Sequence, residues 1–316
     1  MKQILSTTFY LLILSFLSAC GGAKLPKGVI KESFIHKYGV AMSKGEWLNR
    51  GSDGKVLTQY ENGVSRTRTY QAGKLHGESS ASFAHSSVIE KKQVYKEGNL
   101  QKEILHYTSG VPMWEKKYLE DGKSILTSWY EDGSPQSLEN YVDELLEKGA
   151  YYTLNNELEA SVDQKEGSRL IRDPFGNLLA KDLIKDGQLV LRTTYHPNGD
   201  PKVLASYQDG VIHGKKKTYW MGGEPNTIEE WNMGKQEGLT KIFQNGKVKA
   251  SLQYLAGQRH GVEKRFNDQD VLVEEIYWIE DQRHGPSRNY IGDKTNTKWF
   301  HQGKVVSKFV FDEFAR

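Results

Sequence analysis

Gly210-Val211-Ile212-His213-Gly214, Gly234-Lys235-Gln236-Glu237-Gly238, Gly257-Gln258-Arg259-His260-Gly261 and Asp281-Gln282-Arg283-His284-Gly285 recur along the chain at intervals of 24, 23 and 24 residues. An earlier copy, Gly73-Lys74-Leu75-His76-Gly77, and weaker ones at Gly98, Gly122, Gly167, Gly187 and Gly303 extend the series. A second set of turn residues falls about eleven positions before the first: Asn62-Gly63, Ser109-Gly110, Asp132-Gly133, Phe175-Gly176, Asn198-Gly199, Gly222-Gly223 and Asn245-Gly246. Each unit of about 23 residues therefore contains two chain reversals. Asn-Gly and Asp-Gly accept the positive φ of a type I′ hairpin turn, so the expectation is that tight turns of this kind separate short strands throughout.

An aromatic residue precedes the turn glycine by three positions at Tyr60, Tyr70, Tyr95, Tyr107, Tyr130, Tyr207, Trp231, Phe243, Tyr254 and Phe300, with Trp278 equivalent before Asp281. A fixed offset from the turn puts these rings on one face of neighbouring strands, where cross-strand pairs stabilise a sheet. Leu138 to Lys148 also carries an amphipathic helical pattern, but Tyr141 follows Tyr118 by 23 residues and keeps the repeat register, so the segment is read as strand.

Composition agrees with a thin, strand-rich body. Apolar residues make up 37% of the 316 residues, and the 31 Gly and 35 aromatic residues (17 Tyr, 11 Phe, 7 Trp) far outnumber the 8 Pro. The aromatic content argues against disorder. With 43 Lys and Arg against 40 Asp and Glu, the net charge is +3, which weakens any reading based on a global phosphate-binding surface. A single Cys forbids an intramolecular disulfide and any Cys-cluster metal site.

That Cys has a specific context. Lys2 precedes an apolar stretch through Phe9-Tyr10-Leu11-Leu12-Ile13-Leu14, too short to span a bilayer stably, and the stretch ends in Leu17-Ser18-Ala19-Cys20-Gly21. The segment resembles the lipobox of bacterial lipoproteins. The resemblance implies cleavage before Cys20, a diacylglyceryl group on its thiol and an acylated (palmitate-type) amine, with 1-19 as signal peptide. Two or three acyl chains hold a protein firmly on a membrane where one does not. Gly21, rather than Asp, implies by the same resemblance an outer-membrane destination facing the periplasm. Residues 20-50 have no clear pattern and read as a tether, and 51-316 as the repeat domain.

The Tyr-x-x-Gly and Gly-x-x-His/Glu-Gly pattern at this period resembles the MORN-repeat variant family, many bacterial members of which are labelled YwqK-type antitoxin-like proteins. It implies an all-β fold, an elongated open antiparallel sheet of tandem hairpins in which each unit contacts its neighbours. The resemblance is specific from 195 to 285 and fades between 135 and 170.

Candidate chemistry is sparse. His76, His213, His260 and His284 are equivalent, and equivalent residues one hairpin apart lie about 9–10 Å from each other, too far to share an ion. Glu237 fills the same slot, which favours a structural role in binding turn backbone over ligation or catalysis. Gly122-Lys123-Ser124 lacks the earlier glycine of a phosphate loop, since position 117 is Lys117. Lys215-Lys216-Lys217 reads as a solvated strand edge, where lysine discourages aggregation, in preference to a partner-binding site. No catalytic, cofactor or metal residue is assigned, and Cys20 is the one modification site. The leading expectation is a non-enzymatic, lipid-anchored module of the cell envelope that binds a protein partner, with no nucleic acid or small-molecule substrate. An antitoxin or immunity protein is the alternative, and an envelope hydrolase the third reading.

Overall fold

The computed structural model describes residues 26–314; Cys20 and the leader lie outside the described residues. Twenty-eight strands form one open antiparallel sheet in hairpin succession, not closed into a barrel. Open sheets seldom exceed about ten strands, but an array in which each hairpin pairs only with its neighbours escapes that limit. The segment with the helical pattern is strand, Pro135–Val142 and Leu145–Tyr152, reversing at Asp143-Glu144.

Turns on the two edges of the sheet are of different kinds, where a single kind is expected from sequence. On one edge the reversals are left-handed pairs such as Ala72-Gly73, Asp209-Gly210, Met233-Gly234 and Ala256-Gly257, both residues having φ between +48° and +91° except Met233 at +45°. These are type I′ turns. On the other edge only the glycine is left-handed, as at Gly63 (φ +79°) and Gly199 (φ +87°). There Tyr60 N–H donates to the Val64 carbonyl at 2.9 Å and Gly63 N–H to the Tyr60 carbonyl at 3.0 Å, and His196 and Gly199 repeat the arrangement. This is a three-residue loop, a type I turn closed by a left-handed residue. Asn245-Gly246 departs from its set and is a left-handed pair, φ +51° and +71°.

The expected tether over 20–50 is too long. Val29–His36 is a full strand paired with Gly54–Tyr60, and the short helix Lys44–Asn49 lays Trp47, 4% exposed, over Phe34 and Tyr70 with ring centroids 5.8 and 6.2 Å apart. Ser43 and Glu46 form a capping box that starts this helix. The first hairpin would otherwise expose one whole face, and Trp47 covers it. At the far end the helix Lys308–Phe314 packs Phe311 against Trp299, centroids 5.1 Å apart.

Of the aromatic series, Tyr107, Tyr130, Trp278 and Phe300 are buried and the others half-buried. Among the described residues the one compact apolar cluster, Leu146, Tyr151, Val162 and Ile184, lies instead where the repeat motif fades. Here the sheet coils enough for three successive hairpin tips to meet. Leu146 N–H donates to the Gly187 carbonyl (3.1 Å), Gly187 N–H to Lys165 (2.9 Å) and Lys165 N–H to Glu147 (2.9 Å), closing a ring of backbone hydrogen bonds among the tips. A Cβ on Gly187 would stand 2.9 Å from Leu145 Cβ and 3.1 Å from the Leu146 carbonyl oxygen, so only glycine permits the approach.

Candidate functional site

The recurring Gly-x-x-His-Gly motif builds the joint between units. Its first glycine completes the left-handed turn. His76 lies between a two-residue strand and the next full strand, whereas His213 lies at a register shift inside the continuous strand Val211–Tyr219; the second glycine has φ of +79° at Gly77 and +90° at Gly214. The turn of the following unit seats on this segment: Gly98 N–H donates to the Leu75 carbonyl at 2.7 Å and Glu97 N–H to His76 Nδ1 at 3.3 Å. Gly234 and Met233 do the same to Ile212 and His213, at 2.8 and 3.3 Å. Gly257, Asp281 and Gly303 place their N–H groups on the carbonyls of Gln236, Arg259 and Arg283. His76 and His213 thus accept from turn backbone. Glu237 in the same slot accepts from Asn232 Nδ2 at 3.1 Å. His284 stands 5.0 Å from His301, centroid to centroid, and burial followed by the charge of that neighbour holds its pKa below the ordinary histidine value.

A polar row that sequence reading missed runs down the covered face. Arg169, Asp182, Arg192, Ala205, Lys216 and Glu229 stand directly opposite one another on successive strands. The Asp182 side chain is fully buried. Arg169 Nε and Nη2 reach its Oδ2 at 2.9 and 2.6 Å, while Arg192 Nε reaches Oδ1 at 2.7 Å and Nη2 reaches Oδ2 at 2.8 Å. Burial by itself raises the carboxyl pKa, but the hydrogen bonds from Arg192 and Arg169 outweigh it and leave Asp182 below the usual carboxylate range. Further along, Glu139 accepts from Tyr141 OH (2.6 Å) and Tyr151 OH (2.8 Å), Glu229 from Trp231 Nε1 (2.8 Å), and Glu263 from Trp278 Nε1 (2.8 Å). Burial and the Glu139 charge push both tyrosine hydroxyls up in pKa. The one readable signal was alternation: a charged residue with strand parity between buried neighbours. These carboxylates are saturated with donors, which suits a structural role.

Lys215-Lys216-Lys217 is not a strand edge, contrary to expectation, because Val211–Tyr219 is paired on both sides. Pleating divides the triplet. Lys216 turns to the covered face and pairs with Glu229 at 3.1 Å, and Lys215 and Lys217 turn to the other. There Lys217 is followed across the sheet by Ile228, Lys241, Ser251 and Lys264. Among the described residues no carboxylate stands within ion-pair distance of Lys215, Lys217 or Lys241, and no group of three His, Cys, Asp or Glu is placed to hold a metal ion. Lys123, of the phosphate-loop echo, opens an ordinary strand, Lys123–Trp129.

No protein-family model matches the chain, and no curated protein matches it. Among solved structures, TcdB2-TccC3 without its hypervariable C-terminal region is similar over 77% of this chain and 16% of its own, at 12% identity and a TM-score of 0.19. A porin-like protein from Bacteroides uniformis is similar over 78% of this chain and 89% of its own, at 8% identity and a TM-score of 0.17. The C-terminal WD40 domain of Sif2 is similar over 78% of each chain, at 10% identity and 0.16. The chain spans about a sixth of the length of the TcdB2-TccC3 chain. TM-scores this low carry no argument about function.

Proposed function

We propose that the protein is a lipid-anchored, non-enzymatic interaction module of the bacterial envelope, held to the outer membrane through Cys20 and binding a protein partner with its hairpin sheet. The observation that carries this reading is a division of labour between the faces. His76 and His213 bind the turn of the following unit, while on the other face Lys215, Lys217 and Lys241 make no ion pair among the described residues, Lys217 and Lys241 flanking Ile228 and Lys215 standing opposite Glu230. Charge presented in this way suits selection of an acidic partner surface. The sequence Leu17-Ser18-Ala19-Cys20-Gly21 supports the anchor.

Two experiments test it. Fatty-acid labelling in cells is expected for the parent and lost in Cys20→Ala; label that persists in the variant refutes the anchor. Photo-crosslinking groups placed at 217 and 241 should trap one and the same protein, and a group at Lys74, on the turn edge, should not. Equal yields from all three positions would refute the lysine face as the binding surface. If the trapped protein is toxic and its toxicity is relieved by this chain, the immunity reading replaces the structural one.

A further inference from the structure

At three of the three-residue loops the residue that opens the loop ties one unit to the next. Tyr107 OH donates to the Trp129 carbonyl at 2.9 Å, Tyr130 OH to Tyr152 at 2.7 Å, and His196 Nε2 stands 3.0 Å from the Tyr219 carbonyl. Each carbonyl belongs to the residue just before the next such position. Trp220 follows His196 in this series, and its counterpart carbonyl would be that of Ile242, just before Phe243. The tie is not made. The next reversal is the left-handed pair Asn245-Gly246, with Phe243 opposite Val248, in place of a three-residue loop.

Without such a tie, Trp220 is 53% exposed, where the tied Tyr107 and Tyr130 are 7% and 0% exposed. Between it and Ile242 lies an open cleft of about 470 Å³, lined also by Glu224, Asn226, Gln244, Asn245 and Lys249. The platform is fixed in place: Gly222 N–H donates to Asp200 Oδ2 at 2.8 Å, Trp220 N–H to the Glu224 carbonyl at 2.9 Å and Gly223 N–H back to the Trp220 carbonyl at 3.1 Å. A loop backbone held before binding costs little ordering entropy when a ligand arrives.

An occupant must lay an apolar face on the indole and carry donors and acceptors at its rim for two carboxamides of asparagine, one of glutamine and a carboxylate. A pyranose does both, since its C–H face meets the electron-rich face of the ring and its hydroxyls project sideways. A nucleotide would also stack, but its phosphate would meet Glu224, and the cation in the cleft, Lys249, is already bound by Asp268. We propose that this cleft binds an uncharged pyranose unit of a glycan chain. The proposal rests on neither the lipid anchor nor the protein partner.

Every described strand lies within residues 26–314, so a chain beginning at Gly21 keeps the whole array. Calorimetric titration of that chain with cellotriose, maltotriose and triacetylchitotriose should give binding to at least one. Trp220→Ala should weaken it by about tenfold with the unfolding midpoint unchanged, while Trp220→Phe, which keeps a ring without the N–H, retains most of the affinity. Asn226→Ala should weaken it without abolishing it. The proposal is overturned if none of the three sugars binds, if Trp220→Ala binds as the parent does, or if adenosine monophosphate binds and the sugars do not.

Discussion

Replacing Asp182 by Asn keeps the volume and removes the charge that Arg169 and Arg192 share across a single strand, leaving Arg169 only the charge of nearby Glu139. Removing one partner of a buried ion pair typically costs about 3–5 kcal/mol. The arginine side chains are 23% and 31% exposed, so each can recover some of its hydration and the lower end applies, about 3 kcal/mol. Hairpin arrays open locally, so the assay is amide hydrogen exchange in the strands Leu178–Lys185 and Gln188–Tyr195. About 3 kcal/mol corresponds to roughly a hundredfold loss of protection at pH 7. The sign with pH follows from the lowered carboxyl pKa. Stability from Asp182 is fully present above the unfolded value near 4 and is lost as pH falls through the native one, so the gap between parent and variant should begin to narrow below about pH 4 and close only once pH falls below the native value. Protection in Asp182→Asn within about twofold of the parent at pH 7, or a gap that widens on acidification, would refute the assignment.

Excising Gly234 to Ala256 joins Met233 to Gly257 and recreates a left-handed turn pair, so the shortened chain should still fold, as read by far-ultraviolet circular dichroism and urea unfolding. Trp278→Ala should cost more than that deletion, about 3–5 kcal/mol, because the indole is 8% exposed, lies 3.8 Å under the Arg259 guanidinium and supplies a donor to buried Glu263. A deletion that unfolds while Trp278→Ala stays near parental stability refutes interchangeable units. Gly246→Ala meets open space and should lose only the roughly 1–2 kcal/mol of a left-handed non-glycine, whereas Gly187→Ala adds a clash with Leu145 and Leu146 and should lose about 1–3 kcal/mol more; equal urea midpoints would refute the crowding.

The period was legible because a left-handed backbone leaves few residue choices, and Gly, Asn and Asp advertise it. The two turn kinds were not, since one glycine serves both: Gly63 closes a three-residue loop and Gly210 a two-residue pair. The strand Val29–His36 escaped although Gly39, 24 positions before Gly63, closes the same kind of three-residue loop after it (φ +84°); its partner strand and Trp47 define it in three dimensions. The coiled centre was hidden for a different reason. Its contacts are backbone hydrogen bonds, such as Leu146 to Gly187, between tips far apart in sequence, and backbone groups leave no trace in residue identity. Trp220 was not singled out in the sequence, and its exposure beside the cleft is what sets it apart.

The ring of tips at Leu146, Lys165 and Gly187 also sets how the molecule answers a pull. Tension entering at the first strand, Val29–His36, meets hairpins whose hydrogen bonds lie across the line of peeling, so the bonds break in sequence and the array unzips at low force. At the ring, three turns are bonded in a cycle around a filled apolar cluster, and advancing by one strand requires several bonds to break together. The centre is therefore a mechanical stop. A load on the N-terminal end would release the first hairpins as slack and leave the C-terminal ones, with their lysine face and the Trp220 cleft, folded.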